Sequence, residues 1–176
     1  MSAAVSLAAL NAMPAADFTA CLGAIFEHSP WVAERAAARR PFASVAQLHA
    51  AMADAVRAAT LDERMRLIRV HPELAGKAAV RGELSNESTR EQKGAGLDQC
   101  SADEFERMQE LNRRYNEKFG FPFVIAVKGH DRHSILREFA QRLGNAPAVE
   151  AAECIEQIIR IGGFRLAEAV REQGVA

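Results

Sequence analysis

The sequence predicts an all-α fold: a single compact domain, residues 1–176, of about eight helices with one buried extended segment. Apolar side chains recur at the three- and four-residue spacing of amphipathic helices along most of the chain, and Ala supplies much of the 49% apolar content. Only residues 121–127 are rich in the branched and aromatic residues typical of strands. Because no comparable run can pair with them, we expect them to be buried and extended outside a sheet.

Helix start signals mark three predicted helices in the first part of the chain. An apolar face over residues 18–26 ends before Ser29 and Pro30, a typical N-cap followed by a typical first helical residue. Ser44 is the predicted N-cap of the third helix, because an apolar stripe at helical spacing follows it.

A fourth predicted helix begins at Thr60, which forms a capping-box pattern with Glu63. Pro72 disfavours helix at the residue before it, so His71 is expected where this helix stops. Residues 71–84 contain two glycines and a proline and are predicted to form an irregular connection. Loops on a rigid scaffold are where functional side chains concentrate.

Four further helices are predicted, over about residues 85–95, 101–120, 134–143 and from 145 onward. The second has the clearest limits, because Ser101 and Glu104 form a capping-box pattern and Gly120 is a typical helix stop. The last contains Gly162 and Gly163, which predict either a bend or a close packing contact.

Composition and charge exclude several classes of protein. A formal net charge of -1 provides no basic field for phosphate groups, so nucleic acid is not an expected partner. Cys21, Cys100 and Cys154 show no C-x-x-C spacing, which argues against a disulfide framework or a thiolate zinc site and favours a reducing cytoplasm. Residues 1–16 lack a basic start and are too short to span a bilayer, so neither a signal peptide nor a membrane partner is expected.

His71 is the first candidate for chemistry. An imidazole with an unperturbed pKa near ~6.5 suits proton transfer at neutral pH, and the position beside Pro72 could direct the ring into a cleft. The alternative is a histidine that satisfies the last carbonyls of its helix and interacts with the helix dipole. When only the neighbouring residues are considered, this structural role of His71 is the favoured interpretation.

Ser88 and Glu91 lie three residues apart on a predicted helix, so their side chains share one face and could form the polar wall of a pocket. The same spacing is a capping box, which is the favoured local interpretation.

Arg165 lies in an apolar stretch, where a guanidinium needs an anionic ligand, an ion pair with an acid such as Glu168, or a path for its stem to solvent.

A metal site is the third possibility. His130, Asp131 and His133 could combine with Glu91, and a metal-dependent hydrolase could use His71 with His130 and His133. No helical His-x-x-x-His pattern supports either set, so a solvated polar turn is the favoured interpretation of residues 130–133 and no metal ligand is predicted.

Four separated strings closely resemble the signature of the OHCU decarboxylases, which act on 2-oxo-4-hydroxy-4-carboxy-5-ureidoimidazoline. They occur in the family's order and cover nearly the whole chain, as residues 26–34, 71–77, 84–98 and 111–130. The second reads His-Pro-Glu-Leu-Ala-Gly-Lys and begins at His71. The family usually has Thr where Ser85 stands, and a bulkier apolar run where Gly162, Gly163 and Phe164 precede Arg165.

The resemblance implies an all-α carboxy-lyase that converts this substrate to S-allantoin in urate breakdown, as a homodimer without metal or organic cofactor. His71 and Glu91 match catalytic residues of the family. The implied substrate-binding residues are Pro72, Ser88, Phe121, Phe123, Ile125 and Arg165. The alternative from another functional class is a non-catalytic helical binding or dimerisation module, whose polar side chains only cap helices and pair charges.

Overall fold

The computed structural model describes residues 4–172, which form ten α-helices and two short strands. The helices are α1 (Leu7–Ala12), α2 (Ala15–Leu22), α3 (Trp31–Ala37), α4 (Val45–Arg57), α5 (Leu61–Arg69), α6 (Lys77–Val80), α7 (Asn86–Gly94), α8 (Ala102–Phe119), α9 (Arg132–Arg142) and α10 (Pro147–Ala169). The predicted helical class is confirmed. The two helices beyond the eight expected are the short α1, in residues 1–16 for which no helix was predicted, and α6, in the stretch 71–84 that was predicted to be irregular.

Two strands were not predicted. β1 (Val5–Ser6) and β2 (Val170–Arg171) pair in parallel, with Val5 opposite Val170. Each has only two residues, too few for the alternating pattern that identifies a strand in a sequence. Within residues 4–172, no helix is both long and apolar enough to cross a membrane.

The chain divides into two compact units. The first comprises the described residues of Met1–Leu67 and Ile159–Ala176, and the second comprises Ile68–Ile158. In the first unit, α2 packs on α3 and α3 packs on α4. Its fully buried core includes Leu10, Phe18, Leu22, Val32, Leu48, Met52, Val56 and Leu166.

Of the three helix caps predicted in the first unit, at Ser29, Ser44 and Thr60, two are confirmed. The Ser44 hydroxyl accepts a hydrogen bond from the Gln47 amide at 3.1 Å, as expected. The expected N-cap Ser29 is wrong, because α3 is capped at Pro30 and Ser29 lies buried one residue earlier. Ser29 still accepts a backbone hydrogen bond, at 3.2 Å from Val32 to its carbonyl.

The predicted capping box at the start of α5 is confirmed. The Glu63 amide donates to the Thr60 hydroxyl at 3.2 Å, and the Thr60 amide donates to the Glu63 carboxylate at 2.8 Å. Arg35 also binds this carboxylate, and its hydrogen bond, together with that from Thr60, lowers the pKa of Glu63 to about 2. The carboxylate therefore stays ionised well below neutral pH.

The second unit is built around α8. Ser101 and Glu104 form the predicted capping box, and Gly120 ends the helix in the left-handed region at φ 71°. Tyr115, on the buried face, contacts the rings of Phe119, Phe121, Phe123 and Phe139 at centroid distances of 4.5 to 5.9 Å. Residues 121–127 are buried and lie outside any helix or sheet, as predicted.

The start of α9 differs from the prediction. Its N-cap is Asp131, whose carboxylate accepts from the Ser134 amide at 2.7 Å, while the Ser134 hydroxyl accepts from the Asp131 amide. The predicted start at Ser134 is therefore the third helical residue of a reciprocal capping box. Asp is as good an N-cap as Ser, and the sequence offers both residues within one turn.

Gly162 and Gly163 allow close packing, and α10 continues through both without ending. A Cβ added at Gly162 would lie 2.6 Å from the ring of Phe26, which is fully buried. Of the two expected roles of this glycine pair, close packing is the one observed at Gly162.

We expect Gly162→Ala to lower the free energy of unfolding by about 1–3 kcal/mol, because the added methyl forces the Phe26 ring to move. Urea denaturation followed by far-UV circular dichroism measures the change. The matched control is Gly94→Ala, in a helix where the added Cβ would meet nothing within 4 Å. It should be neutral or stabilising by about 0.5–1 kcal/mol. Equal effects of the two substitutions would contradict the packing explanation.

Candidate active site

His71 lies where a helix stops, as predicted. α5 ends at Arg69, and the His71 amide donates to the Ile68 carbonyl at 3.2 Å. The side chain is buried, with only 7% of the residue exposed. Pro72 follows it, half-buried, in the irregular stretch before α6. The structure thus holds an imidazole inside the second unit, at the start of a loop.

The Gln92 side chain attaches the loop that begins at His71 to α7. The Gln92 amide group accepts from the Ala75 backbone N–H at 2.9 Å and donates to the Glu73 carbonyl at 3.3 Å. Gln92 is buried and directly follows Glu91 in the helix. These two hydrogen bonds therefore link the histidine loop to the turn of α7 that carries Glu91.

Helix α8 holds the same loop from another side. Gln109 donates to the Ala75 carbonyl at 2.8 Å, and Asn112 donates to the Leu74 carbonyl at 3.0 Å. Sequence reasoning did not identify these residues. The signal was available as amide side chains among the apolar positions of the best-defined helix, but its meaning depends on a loop more than thirty residues away in the chain.

The polar pair on α7 is confirmed to share a helix, and its capping interpretation is wrong. Ser85 is the N-cap, and its hydroxyl accepts from the Ser88 amide at 3.2 Å. Ser88 is therefore the third helical residue and does not cap. It is buried, whereas Glu91 is half-buried one turn later. The two residues are three apart in α7, so they share the helix face on which the sequence predicts the polar wall.

The extended segment is fixed by two polar side chains. Arg142 donates to the Val124 carbonyl at 2.8 Å, and the Ala126 amide donates to the Gln157 side chain at 2.9 Å. The predicted substrate-binding residues of this segment, Phe121, Phe123 and Ile125, are all buried. The backbone beside them is thus fixed without strand pairing.

Arg142 also connects this segment to a buried cluster of polar side chains. Arg142 donates to the Glu150 carboxylate at 2.6 Å, and the Tyr115 hydroxyl donates to the same oxygen. Burial opposes the charge on Arg142, but the hydrogen bond to Glu150 raises its pKa overall. Burial, with Cys154 and Glu150 as neighbours, raises the pKa of Tyr115 far above its usual range. The guanidinium stays charged and the phenol keeps its proton.

Arg165 lies in the first unit, on α10. Its Nη1 donates to the Glu27 carboxylate at 3.0 Å and lies 3.4 Å from the Ile25 carbonyl. Both charged side chains are about 5% exposed. The ion pair considered from the sequence is present, but its acid is Glu27, 138 residues away, and Glu168 is exposed.

The eight predicted site residues are divided between the units. Seven belong to the second unit and Arg165 to the first. The second unit also contains a cavity of about 480 Å³. Gln92, Lys93 and Thr89 of α7 line it, and none of the eight predicted residues does.

The histidines of residues 130–133 are engaged at the start of α9. His130 contacts the Ser134 hydroxyl at 3.1 Å, and the exposed His133 lies 3.1 Å from the Glu104 carboxylate. In the part of the chain from residue 4 to 172, no three His, Cys, Asp or Glu side chains are grouped so that they could hold a metal ion.

Comparison with known proteins identifies the family. The family model described as OHCU decarboxylase matches residues 11–167, which include every site residue described above. The chain belongs to the OHCU decarboxylase family. It is 38% identical over 164 residues to the 2-oxo-4-hydroxy-4-carboxy-5-ureidoimidazoline decarboxylase of Haloferax volcanii, covering 93% of this chain and 95% of the relative.

Two other family relatives are longer proteins. The chain is 41% identical over 165 residues to the uric acid degradation bifunctional protein PucL of Bacillus subtilis, covering 94% of this chain but only 33% of the relative. The crystal structure of (S)-allantoin synthase superposes with a TM-score of 0.75 at 28% identity, covering 95% of this chain and 54% of that one. The chain thus spans about a third of the first and about half of the second.

We expect Glu27→Ala to destabilise the protein by about 3–5 kcal/mol, because it removes a carboxylate from a buried guanidinium. Thermal and urea denaturation measure the loss. Glu168→Ala is the control, since Glu168 is an exposed acid one residue from the end of α10. It should change stability by less than about 0.5 kcal/mol. A Glu27→Ala protein as stable as the control would show that the buried pair contributes nothing.

Proposed function

We propose that this chain decarboxylates 2-oxo-4-hydroxy-4-carboxy-5-ureidoimidazoline to S-allantoin without a cofactor. The observation that carries the proposal is a match over nearly the full length of a relative named for this decarboxylation. The buried His71 at the helix-to-loop boundary supports it, since a positioned histidine is the most frequent general acid or base. The alternative of a non-catalytic module gains no support from relatives named as decarboxylases.

The chemistry of the substrate explains why no cofactor is required. The departing carboxylate is on a carbon that also bears a hydroxyl and neighbours a C=N bond. When the C–CO₂ bond breaks, its electron pair forms a C=C bond and the π pair of the C=N bond moves to nitrogen, which gains a proton. The resulting enol loses its hydroxyl proton as the neighbouring carbon is protonated. The substrate therefore supplies its own electron sink, which a cofactor such as PLP supplies elsewhere.

In this proposal, His71 manages the proton of the hydroxyl as it becomes a carbonyl. Glu91 holds the ureido or ring N–H groups, so that the neighbouring carbon is protonated on one face. Stereospecificity follows from this fixed orientation. The link through Gln92, which joins the histidine loop to the turn of α7 beside Glu91, supports assigning these two residues to one reaction centre.

The other predicted residues bind and enclose the substrate. Ser88 holds polar oxygens of the substrate. Arg165 of the first unit is also proposed as a substrate-binding residue, since a guanidinium fork matches a carboxylate. Pro72, Phe121, Phe123 and Ile125 form apolar walls that desolvate the departing carboxylate. We further propose that the two units act as one domain, because the family model spans both. A homodimer in the cytoplasm is the proposed state of the protein.

We expect His71→Asn to lower kcat by about 10²–10⁴-fold with the fold intact, because a general acid/base group contributes that much to rate. The assay follows the circular dichroism of the product from freshly generated substrate, since spontaneous decay yields racemic allantoin. His133→Asn, at an exposed site, is the control and should keep wild-type turnover. Normal turnover by His71→Asn would contradict the assignment of His71 as the proton-transfer residue. Racemic product formed by the wild type at the background rate would contradict the proposed function.

Glu91→Ala should reduce kcat more than Ser88→Ala, because a carboxylate that orients N–H groups makes charge-assisted hydrogen bonds and a hydroxyl makes neutral ones. Steady-state kinetics of both variants with the same assay measure the order. The enantiomeric excess of the allantoin should also fall more with Glu91→Ala. The reverse order would mean that Glu91 does not control protonation at the new stereocentre.

A further inference from the structure

We propose that three amide side chains of α8, Gln109, Asn112 and Asn116, are positioning residues for the catalytic imidazole of His71. We call them the amide row. They act by fixing the loop that follows His71, and the inference rests on the proposed function. None of the three was predicted as a site residue.

The amide row matches the loop residue by residue. Gln109 donates to the Ala75 carbonyl, Asn112 to the Leu74 carbonyl and Asn116 to the Glu73 carboxylate. The three donors lie at i, i+3 and i+7, which places them on one face of the helix. As α8 runs forward, the loop residues it contacts run backward. The helix therefore specifies the register of the loop in a way that one hydrogen bond could not.

The loop has one backbone hydrogen bond of its own, from the Gly76 amide to the Glu73 carbonyl at 3.4 Å, among those described for residues 71–76. Residues 71–76 are neither helix nor strand, and Ala75 has a positive φ of 48°. The carbonyls of Glu73, Leu74 and Ala75, and the amide of Ala75, all bind side chains of α7 or α8. Because these side chains take the place of a backbone ladder, removing one releases part of the loop. His71 lies only two residues before the first of these contacts.

Asn112 is the central member of the row and the most informative. Only 3% of the residue is exposed, and its Oδ1 has no hydrogen-bond partner among the described residues. A buried carbonyl oxygen without a partner is unfavourable, and an apolar side chain would avoid that cost. The compensating contact is the hydrogen bond from Nδ2 to Leu74. We infer that the amide is present at this position for its contact with the loop.

The rate of catalysis depends on how precisely the imidazole of His71 is placed. A misplacement of about 1 Å can cost about 10²-fold in rate. At metal sites, loss of a hydrogen bond that orients a metal-binding side chain typically costs about 10–100-fold, and we expect an effect of that order for the loop beside His71. The hydrogen bonds from Gln109, Asn112 and Asn116 described above go to Glu73, Leu74 and Ala75, none of which is a predicted substrate-binding residue. Its loss should therefore reduce kcat through His71 while substrate binding stays nearly normal.

The test is Asn112→Leu, which keeps the side-chain size and removes the donor. We expect kcat to fall about 10–100-fold and KM to change less than about twofold. Hydrogen–deuterium exchange at the amides of residues 74–76 should become faster. Arg113→Gln is the matched control, because Arg113 is the next residue of α8 and forms exposed ion pairs with Glu110 and Glu117. It should leave both kinetic constants and loop exchange unchanged.

Gln109→Ala is the second variant, since Gln109 is half-buried and its loss should not prevent folding. Gln109→Ala should also lower kcat, leave KM nearly unchanged and make loop exchange faster, but its fall in kcat should be smaller than that of Asn112→Leu. Unchanged kcat with a lowered melting temperature in both variants would overturn the proposal, because a purely structural role predicts that result. If the wild type makes no S-allantoin, the proposed function fails by itself. Hydrogen–deuterium exchange of the loop amides then still tests whether the amide row holds residues 73–75. Exchange in both variants at the wild-type rate would overturn the positioning role.

Discussion

The central constraint in this protein is that the backbone polar groups of residues 71–76 must be satisfied outside helix or sheet. An unpaired carbonyl in the interior costs about as much as a lost hydrogen bond, so a buried loop is stable only where side chains replace the missing backbone partners. Gln92 on α7 and the amide row on α8 provide that replacement. The position of His71 thus depends on amide side chains that have no chemistry of their own.

The same constraint recurs at the extended segment, where the solution is a charge. Arg142 can satisfy the Val124 carbonyl in the interior only because Glu150 neutralises it, and Glu150 in turn accepts from Tyr115. A neutral amide suffices at Ala126, where Gln157 accepts. In both regions a chain segment that could not be fixed by its own backbone is fixed by side chains of neighbouring helices. Such segments can offer an unusual backbone shape to a ligand, which regular helices cannot.

Local signals in the sequence were sufficient for most of the helices but not for the contacts that define the site. The capping boxes at Thr60 and Ser101 involve residues three apart, so their spacing carried the information. Where two cap residues compete within a turn, as at Asp131 and Ser134, local spacing could not decide. The acid that pairs with Arg165 is 138 residues away, and no spacing rule reaches that far. His71 and Glu91 entered through the family resemblance, since local physics favoured structural roles for both.

The substrate itself explains why these contacts serve orientation more than reactivity. Its C=N bond accepts the electrons released with CO₂, so the protein has to hold one conformer, manage one proton and shield one carbon face. Orientation of this kind is worth a large part of a reaction barrier only if the catalytic groups are held to within a fraction of an ångström. Hydrogen bonds to consecutive carbonyls restrict a loop in both position and rotation, which apolar packing alone does not. An enzyme for this reaction therefore gains more from fixing the backbone beside His71 than from adding further ionisable groups around it.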